Sequence, residues 1–154
     1  MEIGELLDRD AILARVSVTT KRQALAAAAE LAGRKLGRPA QPILESLLER
    51  EAQGSTGVGQ GVAVPHARLE GVGRMTGVFV KLETPVAFDA VDDRPVDLIF
   101  VLLAPREAGV DHLRALARVS RSLRRAKLRE HLRQARTPDA IYALLSRDAE
   151  QNAA

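Results

Sequence analysis

Residues 50–68 read REAQGSTGVGQGVAVPHAR, and this stretch says more about fold and function than any other part of the chain. Four glycines and the hydroxyls of Ser55 and Thr56 are followed by a short apolar run and then by Pro65 and His66. A glycine-rich loop can turn several backbone N–H groups toward one point, which makes a nest for an anion. An anion nest that leads through a strand to a neutral imidazole fits transfer of a phosphoryl group to or from histidine.

The glycine loop does not match the better-known phosphate-binding and catalytic motifs. No lysine follows a glycine, so the GxxxxGK[ST] pattern of a P-loop is absent. The order Gly57-Val58-Gly59-Gln60-Gly61 does not fit GxGxxG, and a strand follows where a dinucleotide fold needs a helix. Without a GxSxG pattern, Ser55 is a poor candidate for a hydrolase nucleophile. Glycine content alone would equally fit a flexible, hairpin-like connection.

His66 is the first candidate for the reacting residue. Pro65 has no N–H group and is expected to end the strand ladder, which places His66 at the exit of the strand, accessible and fixed in direction. An unperturbed imidazole is largely neutral near pH 7 and can attack a phosphoryl group directly. The alternative is a surface or hydrogen-bonded histidine with a structural role.

His112 is the second candidate. Asp111 is expected to cap a helix, so that His112 lies in its first turn and faces inward with Leu116, Val119 and Leu123. A helix N-terminus disfavours the imidazolium ion and leaves a neutral N–H donor. A capping-region histidine at the edge of the core is the alternative. His131 and the other two histidines show neither i, i+4 pairing nor a nearby acid cluster, so no metal site is expected.

The pattern of apolar residues alternates between strand and helix periods. Strands are predicted at residues 11–18, 61–64, 75–82 and 96–104, and helices at 20–36, 42–52, 110–124, 126–135 and 138–147. Thr19 or Thr20 is expected to cap the first helix, and Gly37 to end it. Strands between helices predict a single three-layer α/β domain with a mixed sheet flanked by helices, spanning residues 1–154 with a core at about 6–147.

Composition sets outer bounds on the function. The 154 residues, 46% hydrophobic and 28% charged, are those of an ordinary soluble domain. The absence of cysteine excludes disulfides, thiol catalysis and zinc–cysteine sites. The longest apolar run, residues 98–104, is far too short to cross a bilayer, and the acidic N-terminus does not resemble a signal peptide. No membrane insertion and a cytoplasmic location are therefore expected.

The net charge of +3 is unevenly distributed. Residues 112–136 hold nine Lys or Arg against one acid, Glu130, and the remainder of the chain is net acidic. A stripe on one helix face, formed by Arg114, Arg118, Arg121 and Arg125, leaves nucleic-acid binding open. A solvated basic face or a docking surface for an acidic partner is favoured over it, because three Phe, one Tyr and no Trp offer little for base stacking.

Three segments together resemble the mannitol/fructose class of enzyme IIA domains of the phosphoenolpyruvate-dependent phosphotransferase system. They are REAQGSTGVGQGVAVPHARL, TPVAFDAVDDRPVDLIFVLLAP and DHLRALARVSRSL. The resemblance extends over residues 6–145 and is greatest to the nitrogen-type regulatory IIA proteins. It implies a mixed sheet flanked by helices, in agreement with the pattern of predicted elements.

The resemblance also implies roles for individual residues. His66 matches the histidine that accepts phosphate from the phosphocarrier HPr or its nitrogen-type counterpart, and His112 matches an assisting histidine. Arg50 matches the arginine of the site. The loop beneath it contributes its hydroxyls and glycines as phosphate-binding groups: Ser55, Thr56, Gly57 and Gly59. Glu51 is expected to be a surface acid at a helix end, and no tightly bound cofactor is expected.

Two roles remain open for such a phosphotransferase. One is a regulator whose phosphorylation state determines which target proteins it binds. The other is a sugar-specific component that passes phosphate to the IIB domain of a permease. Similarity to the nitrogen type favours regulation.

Overall fold

The computed structural model describes residues 2–153, and it describes side chains for residues 2–147. Six strands form one sheet: β1 (Ile12–Val16), β2 (Gly57–Gly59), β3 (Val62–Ala63), β4 (His66–Leu69), β5 (Thr76–Val86) and β6 (Val96–Pro105). Their order is β1-β5-β6-β3-β2, and β4 pairs with β6 beyond the end of β3. β1 runs parallel to β5, and β3 and β4 run parallel to β6, whereas β5 is antiparallel to β6. The predicted mixed sheet is confirmed.

Within residues 2–153, six α-helices flank the sheet: α1 (Ile3–Leu6), α2 (Lys21–Leu36), α3 (Ala40–Ala52), α4 (Val110–Leu123), α5 (Ala126–Gln134) and α6 (Pro138–Ala153). The helices α2 and α3 pack on each other and on β5 and β4, while α4 and α6 pack on β6 and β1. Residues 98–104 of β6 are all fully buried, which requires cover on both faces of the sheet. The layers are therefore helix, sheet and helix, as predicted.

Buried apolar side chains from Ile3 to Leu145 form one core around β5 and β6. Phe79 and Phe100 meet edge to face across these two strands, with ring centroids 6.2 Å apart. Among the described residues, no helix combines the length and apolar character that crossing a bilayer requires.

The predicted caps of α2 are present, and a threonine also caps α6. The Thr20 hydroxyl accepts a hydrogen bond from the Gln23 N–H at 3.1 Å at the start of α2. Gly37 ends that helix in the left-handed conformation, with φ of 67°. Thr137 accepts from the Ala140 N–H at 3.1 Å at the start of α6. The cap predicted at Asp111 is wrong, because Gly109 occupies the cap position of α4 and Asp111 lies within the helix.

The predicted ending of the strand at Pro65 is also wrong. Pro65 has no N–H to donate, but its carbonyl accepts the Leu102 N–H at 2.9 Å, so the ladder with β6 continues past it. β4 then begins at His66, which pairs with Leu102. The glycine stretch before it folds into a β2–β3 hairpin that turns at Gln60 and Gly61, both with positive φ.

Candidate active site

The two candidate histidines meet at the edge of the sheet. His66 is the first residue of β4, and His112 lies in the first turn of α4, which follows β6, the neighbour of β4. Their ring centroids are 5.3 Å apart, with an angle of 75° between the ring planes. The cleft over them measures about 360 Å³ and is lined by three arginines, Arg50, Arg68 and Arg106. Two imidazoles and three guanidinium groups make a site suited to an anion.

The hydrogen bonds of His66 define its tautomer. Nδ1 lies 2.9 Å from the carbonyl oxygen of Val64. Because a carbonyl only accepts, Nδ1 carries the hydrogen, and Nε2 has a lone pair in the ring plane. That lone pair accepts the Nε–H of Arg50 at 3.2 Å. The ring nitrogen of His66 that carries no hydrogen is thus Nε2, and it lies against the guanidinium group of Arg50.

Both imidazoles are kept neutral. Burial lowers the pKa of His66, and the positive charge of Arg50 lowers it further, against opposing effects of the Val64 carbonyl and Glu51. Burial is also the main cause that lowers the pKa of His112 to about 4, with His66 and Arg68 contributing. The expectation of two neutral imidazoles near pH 7 therefore agrees with their surroundings.

His112 takes the opposite tautomer. Its Nδ1 accepts the Nε–H of Arg68 at 3.1 Å, so its Nε2 carries the hydrogen. This Nε2 is buried and has no hydrogen-bond partner among the described residues. A buried donor without an acceptor is costly, and an oxygen of a bound anion would satisfy it. His112 is itself only 5% exposed, as the helical spacing predicted.

Arg50 is held from both sides. It lies in the last turn of α3, and its Nη1 donates to the Gly54 carbonyl at 2.8 Å while its Nε donates to His66. Arg106 follows β6, is exposed, and lies 3.8 Å from Glu70. The structure thus places Arg50 beside His66, and its role in the reaction stays a prediction.

The four predicted phosphate-binding residues of the loop do not line this cleft. The Ser55 hydroxyl donates to the Phe88 carbonyl at 2.6 Å and accepts the Gly57 N–H at 3.0 Å. The N–H and hydroxyl of Thr56 both donate to Glu51. Gly57 and Gly59 pair with β3 in the hairpin. Phosphate binding by these four residues stays a prediction.

Residues 5–148 match the family described as "Phosphoenolpyruvate-dependent sugar phosphotransferase system, EIIA 2". The chain belongs to this family. It is 43% identical over 146 residues to a nitrogen regulatory protein of Bradyrhizobium diazoefficiens, and the match covers 95% of each chain. It is 40% identical over 147 residues to one of Escherichia coli K12, covering 95% of this chain and 90% of the relative. The crystal structure of nitrogen regulatory protein IIA-Ntr from Neisseria meningitidis gives a TM-score of 0.88 at 38% identity, covering 93% and 98% of the two chains.

Membership of the enzyme IIA family makes the chain a phosphotransferase, and it confirms the resemblance on which the sequence prediction rested. Two residues of this enzyme IIA were missed or misplaced. Arg68 was given no role, although it lies two residues after His66 in β4 and therefore on the same face of the strand. The two-residue spacing would have predicted Arg68 as a site residue only if a strand starting at His66 had been recognised.

Glu51 is the misplaced residue. The prediction of a surface acid is wrong, because its side chain is only 4% exposed and forms an ion pair with Lys21 at 2.9 Å. Helical spacing gives the reason: Glu51 lies four residues after Leu47, on the buried face of α3.

The predicted arginine stripe is interrupted and partly neutralised in this enzyme IIA. Its fourth member, Arg125, does not lie on the same helix face, because α4 ends at Leu123 and Arg125 occupies the cap position of α5. Arg118 forms an ion pair with Glu2 at 2.6 Å, and Arg114 lies 3.8 Å from Asp111. The stripe is thus not a continuous row of free cations.

Proposed function

We propose that this enzyme IIA accepts a phosphoryl group on Nε2 of His66 from an HPr-type phosphocarrier in the cytoplasm. In this proposal its phosphorylation state controls which regulatory target proteins it binds. The observation that carries the proposal is the lone pair on Nε2 of His66, held 3.2 Å from the Arg50 Nε and beside the unpartnered Nε2–H of His112.

The tautomer of His66 suits attack without a proton transfer. The Nε2 lone pair bonds to phosphorus while the electron pair of the breaking bond leaves with the carrier. The phosphorylated ring keeps its Nδ1–H and so carries a positive charge, which the Val64 carbonyl stabilises as the acceptor of that hydrogen. The transition state is loose, with charge on three equatorial oxygens. The Nε2–H of His112 donates to one of those oxygens, and the Arg50 Nε–H donates to another as it leaves the His66 lone pair that bonds to phosphorus.

Arg68 supports this arrangement indirectly. By donating to Nδ1 of His112 at 3.1 Å it selects the tautomer with the hydrogen on Nε2, where an oxygen of the phosphoryl group can accept it. Its positive charge and that of Arg106 add to the attraction of the cleft for the anion.

The regulatory role rests on the relatives. Nitrogen regulatory proteins match this chain at about 40% identity over nine-tenths or more of both chains. A sugar-specific role, in which phosphate passes to a IIB permease domain, is less well supported. The expected partners are therefore a phosphocarrier as donor and regulatory target proteins.

The test is site mapping after incubation with phosphoenolpyruvate, enzyme I and the phosphocarrier. We expect one acid-labile phosphoryl group on Nε2 of His66, none on His66→Ala, and unchanged phosphorylation of His131→Ala, whose histidine is exposed on α5. Arg50→Gln is expected to slow the reaction about 100-fold, because one fixed donor to the transferring group is lost. Phosphate on His112, or on a protein that lacks His66, would overturn the assignment.

A further inference from the structure

A charged cluster of two buried residues, Glu51 and Thr56, and the half-buried Lys21 lies behind the cleft. The Lys21 Nζ is 2.9 Å from Glu51 Oε1. The same carboxylate accepts the Thr56 N–H at 3.1 Å with Oε1 and the Thr56 hydroxyl with Oε2. All polar atoms of the carboxylate thus have partners, which a carboxylate buried to this extent requires.

The cluster is tied to the segment that follows β5. The Lys21 Nζ lies 4.6 Å from the centroid of the Phe88 ring and 3.5 Å from the Phe88 carbonyl oxygen. That carbonyl also accepts the Ser55 hydroxyl at 2.6 Å. The glycine loop is therefore fastened on two sides, to α3 through Glu51 and to the Phe88 segment through Ser55.

The N-terminal end of the glycine loop, at Gly54, contacts Arg50 of the site. The Gly54 N–H donates to the Glu51 carbonyl at 3.1 Å, and the Gly54 carbonyl accepts the Arg50 Nη1–H at 2.8 Å. Gly54 is two residues from Thr56, so the position of its carbonyl depends on where Thr56 is anchored. With Nη1 fixed, the planar guanidinium directs its Nε–H at His66.

The loop is also linked to His66, through Val64. The Thr56 carbonyl accepts the Val64 N–H at 3.0 Å. The Val64 carbonyl in turn accepts the Nδ1–H of His66 at 2.9 Å. Thr56 therefore determines the orientation of the His66 ring through Val64 and the position of the Arg50 guanidinium through Gly54.

We infer that Lys21, Glu51 and Thr56 are positioning residues for phosphoryl transfer, which hold the Arg50 guanidinium beside the ring of His66, where it can pass from the Nε2 lone pair to an oxygen of the arriving phosphoryl group. None of the three lines the cleft, so each acts through Arg50 and His66 and not on the phosphoryl group. The inference rests on the proposed function of His66. It gives the buried Thr56 hydroxyl and the buried Glu51 carboxylate a role in orientation instead of phosphate contact.

The test uses Thr56→Val and Lys21→Met, with Lys35→Met as the matched control. Lys35 lies on the same helix, its side chain is 22% exposed against 21% for Lys21, and it also forms an ion pair, with Asp10 at 2.6 Å. Each variant is checked for folding by urea unfolding. Single-turnover phosphorylation of His66 by the phosphorylated carrier and the NMR signal of the Arg50 Nε–H are then compared with the wild type.

We expect Thr56→Val and Lys21→Met to slow phosphorylation by roughly 10- to 100-fold at saturating carrier, since the reacting groups lose their alignment. The Arg50 Nε–H signal should shift in both, and Thr56→Ser should restore rate and signal. Lys35→Met should lower stability while leaving both readouts unchanged.

Four outcomes would overturn the inference. They are wild-type rates in Thr56→Val and Lys21→Met, an equal loss in Lys35→Met, failure of Thr56→Ser to restore the rate, or an unshifted Arg50 signal. Absence of phosphate on wild-type His66 would instead overturn the proposed function on which the inference rests.

Discussion

His112 links the geometry of the site to the acid stability of the protein. Its pKa is lowered from 6.5 to about 4 in the folded chain, chiefly by burial. The unfolded chain therefore takes up a proton at a pH at which the folded chain does not. The contribution of His112 to the free energy of unfolding is complete above pH 6.5 and is lost as the pH falls toward 4. Between pH 7.5 and pH 5 the loss is about 2 kcal/mol.

Urea unfolding of the wild type and of His112→Gln at these two pH values measures this loss. We expect the variant to lose about 2 kcal/mol less than the wild type between pH 7.5 and 5, because glutamine does not titrate. Some acid sensitivity should remain, since the pKa of His66 is lowered too. His131→Gln is the control and should behave as the wild type. An identical pH dependence of the free energy of unfolding in His112→Gln and wild type would contradict a lowered pKa of His112 in the folded chain.

At the scale of single residues, the sequence identifies site residues that belong to a local motif. It does not identify residues that reach the site only through contacts with distant parts of the chain. His66 and Arg50 stood out because they frame the glycine loop. The pairing of Arg68 with His112 joins residues 44 positions apart, and no local pattern reports it. The burial of Glu51 could be predicted from helical spacing, yet its charge suggested exposure. Its burial is tolerable because Lys21, 30 residues earlier, and Thr56 satisfy the carboxylate.

At the scale of the elements, Lys81 of β5 secures the end of α5. Its Nζ donates to the carbonyls of Leu132 at 3.2 Å, Arg133 at 3.0 Å and Ala135. These are carbonyls of the last turn and of the residue after it, which have no partner within the helix. Burial lowers the pKa of Lys81, while Asp97 opposes that effect.

Lys81→Met is therefore expected to lower the free energy of unfolding by about 2 kcal/mol, because buried carbonyls lose a charged donor. The urea unfolding midpoint measures the change. Lys127→Met, on the exposed face of α5, should have no effect, and Lys81→Met should still be phosphorylated at the wild-type rate once folded. A Lys81→Met protein as stable as the wild type would mean that the end of α5 needs no such donor.

The success of prediction varied with element length. The long helix α2, with Thr20 and Gly37 at its ends, and the apolar strands β5 and β6 were recognisable from pattern alone. The four-residue α1 and β4 were not predicted, because too few residues define a period. β4 exists through its pairing with β6, a contact that lies outside the local sequence.

For the whole molecule, the fold redistributes the charge that the sequence appears to concentrate. The excess of cations in residues 112–136 is offset by acids from distant parts of the chain. Glu2 pairs with Arg118 at 2.6 Å, and Asp97 pairs with Arg133 at 3.0 Å. Counting charges along the sequence could not reveal these pairs, because they form only when β6 and the N-terminus pack beside α4 and α5.

This redistribution bears on the nucleic-acid alternative. With Arg118 and Arg133 already paired, we expect DNA to bind no tighter than about 10⁻⁵ M at physiological salt, as for non-specific contact with phosphates. Fluorescence anisotropy with a labelled duplex across a salt series measures this affinity. The exposed residues Arg121 and Arg124 on α4 and just after it are replaced by alanine to test the basic face itself.

The matched control replaces Arg22 and Arg34, two exposed arginines of α2, so that the net charge changes equally in both double variants. If the binding is non-specific, both should weaken it to the same small extent, because only net charge matters. A dissociation constant near 10⁻⁸ M that rises only in Arg121→Ala/Arg124→Ala would contradict this expectation. It would make the basic face a specific nucleic-acid interface and add a second activity to the phosphotransferase.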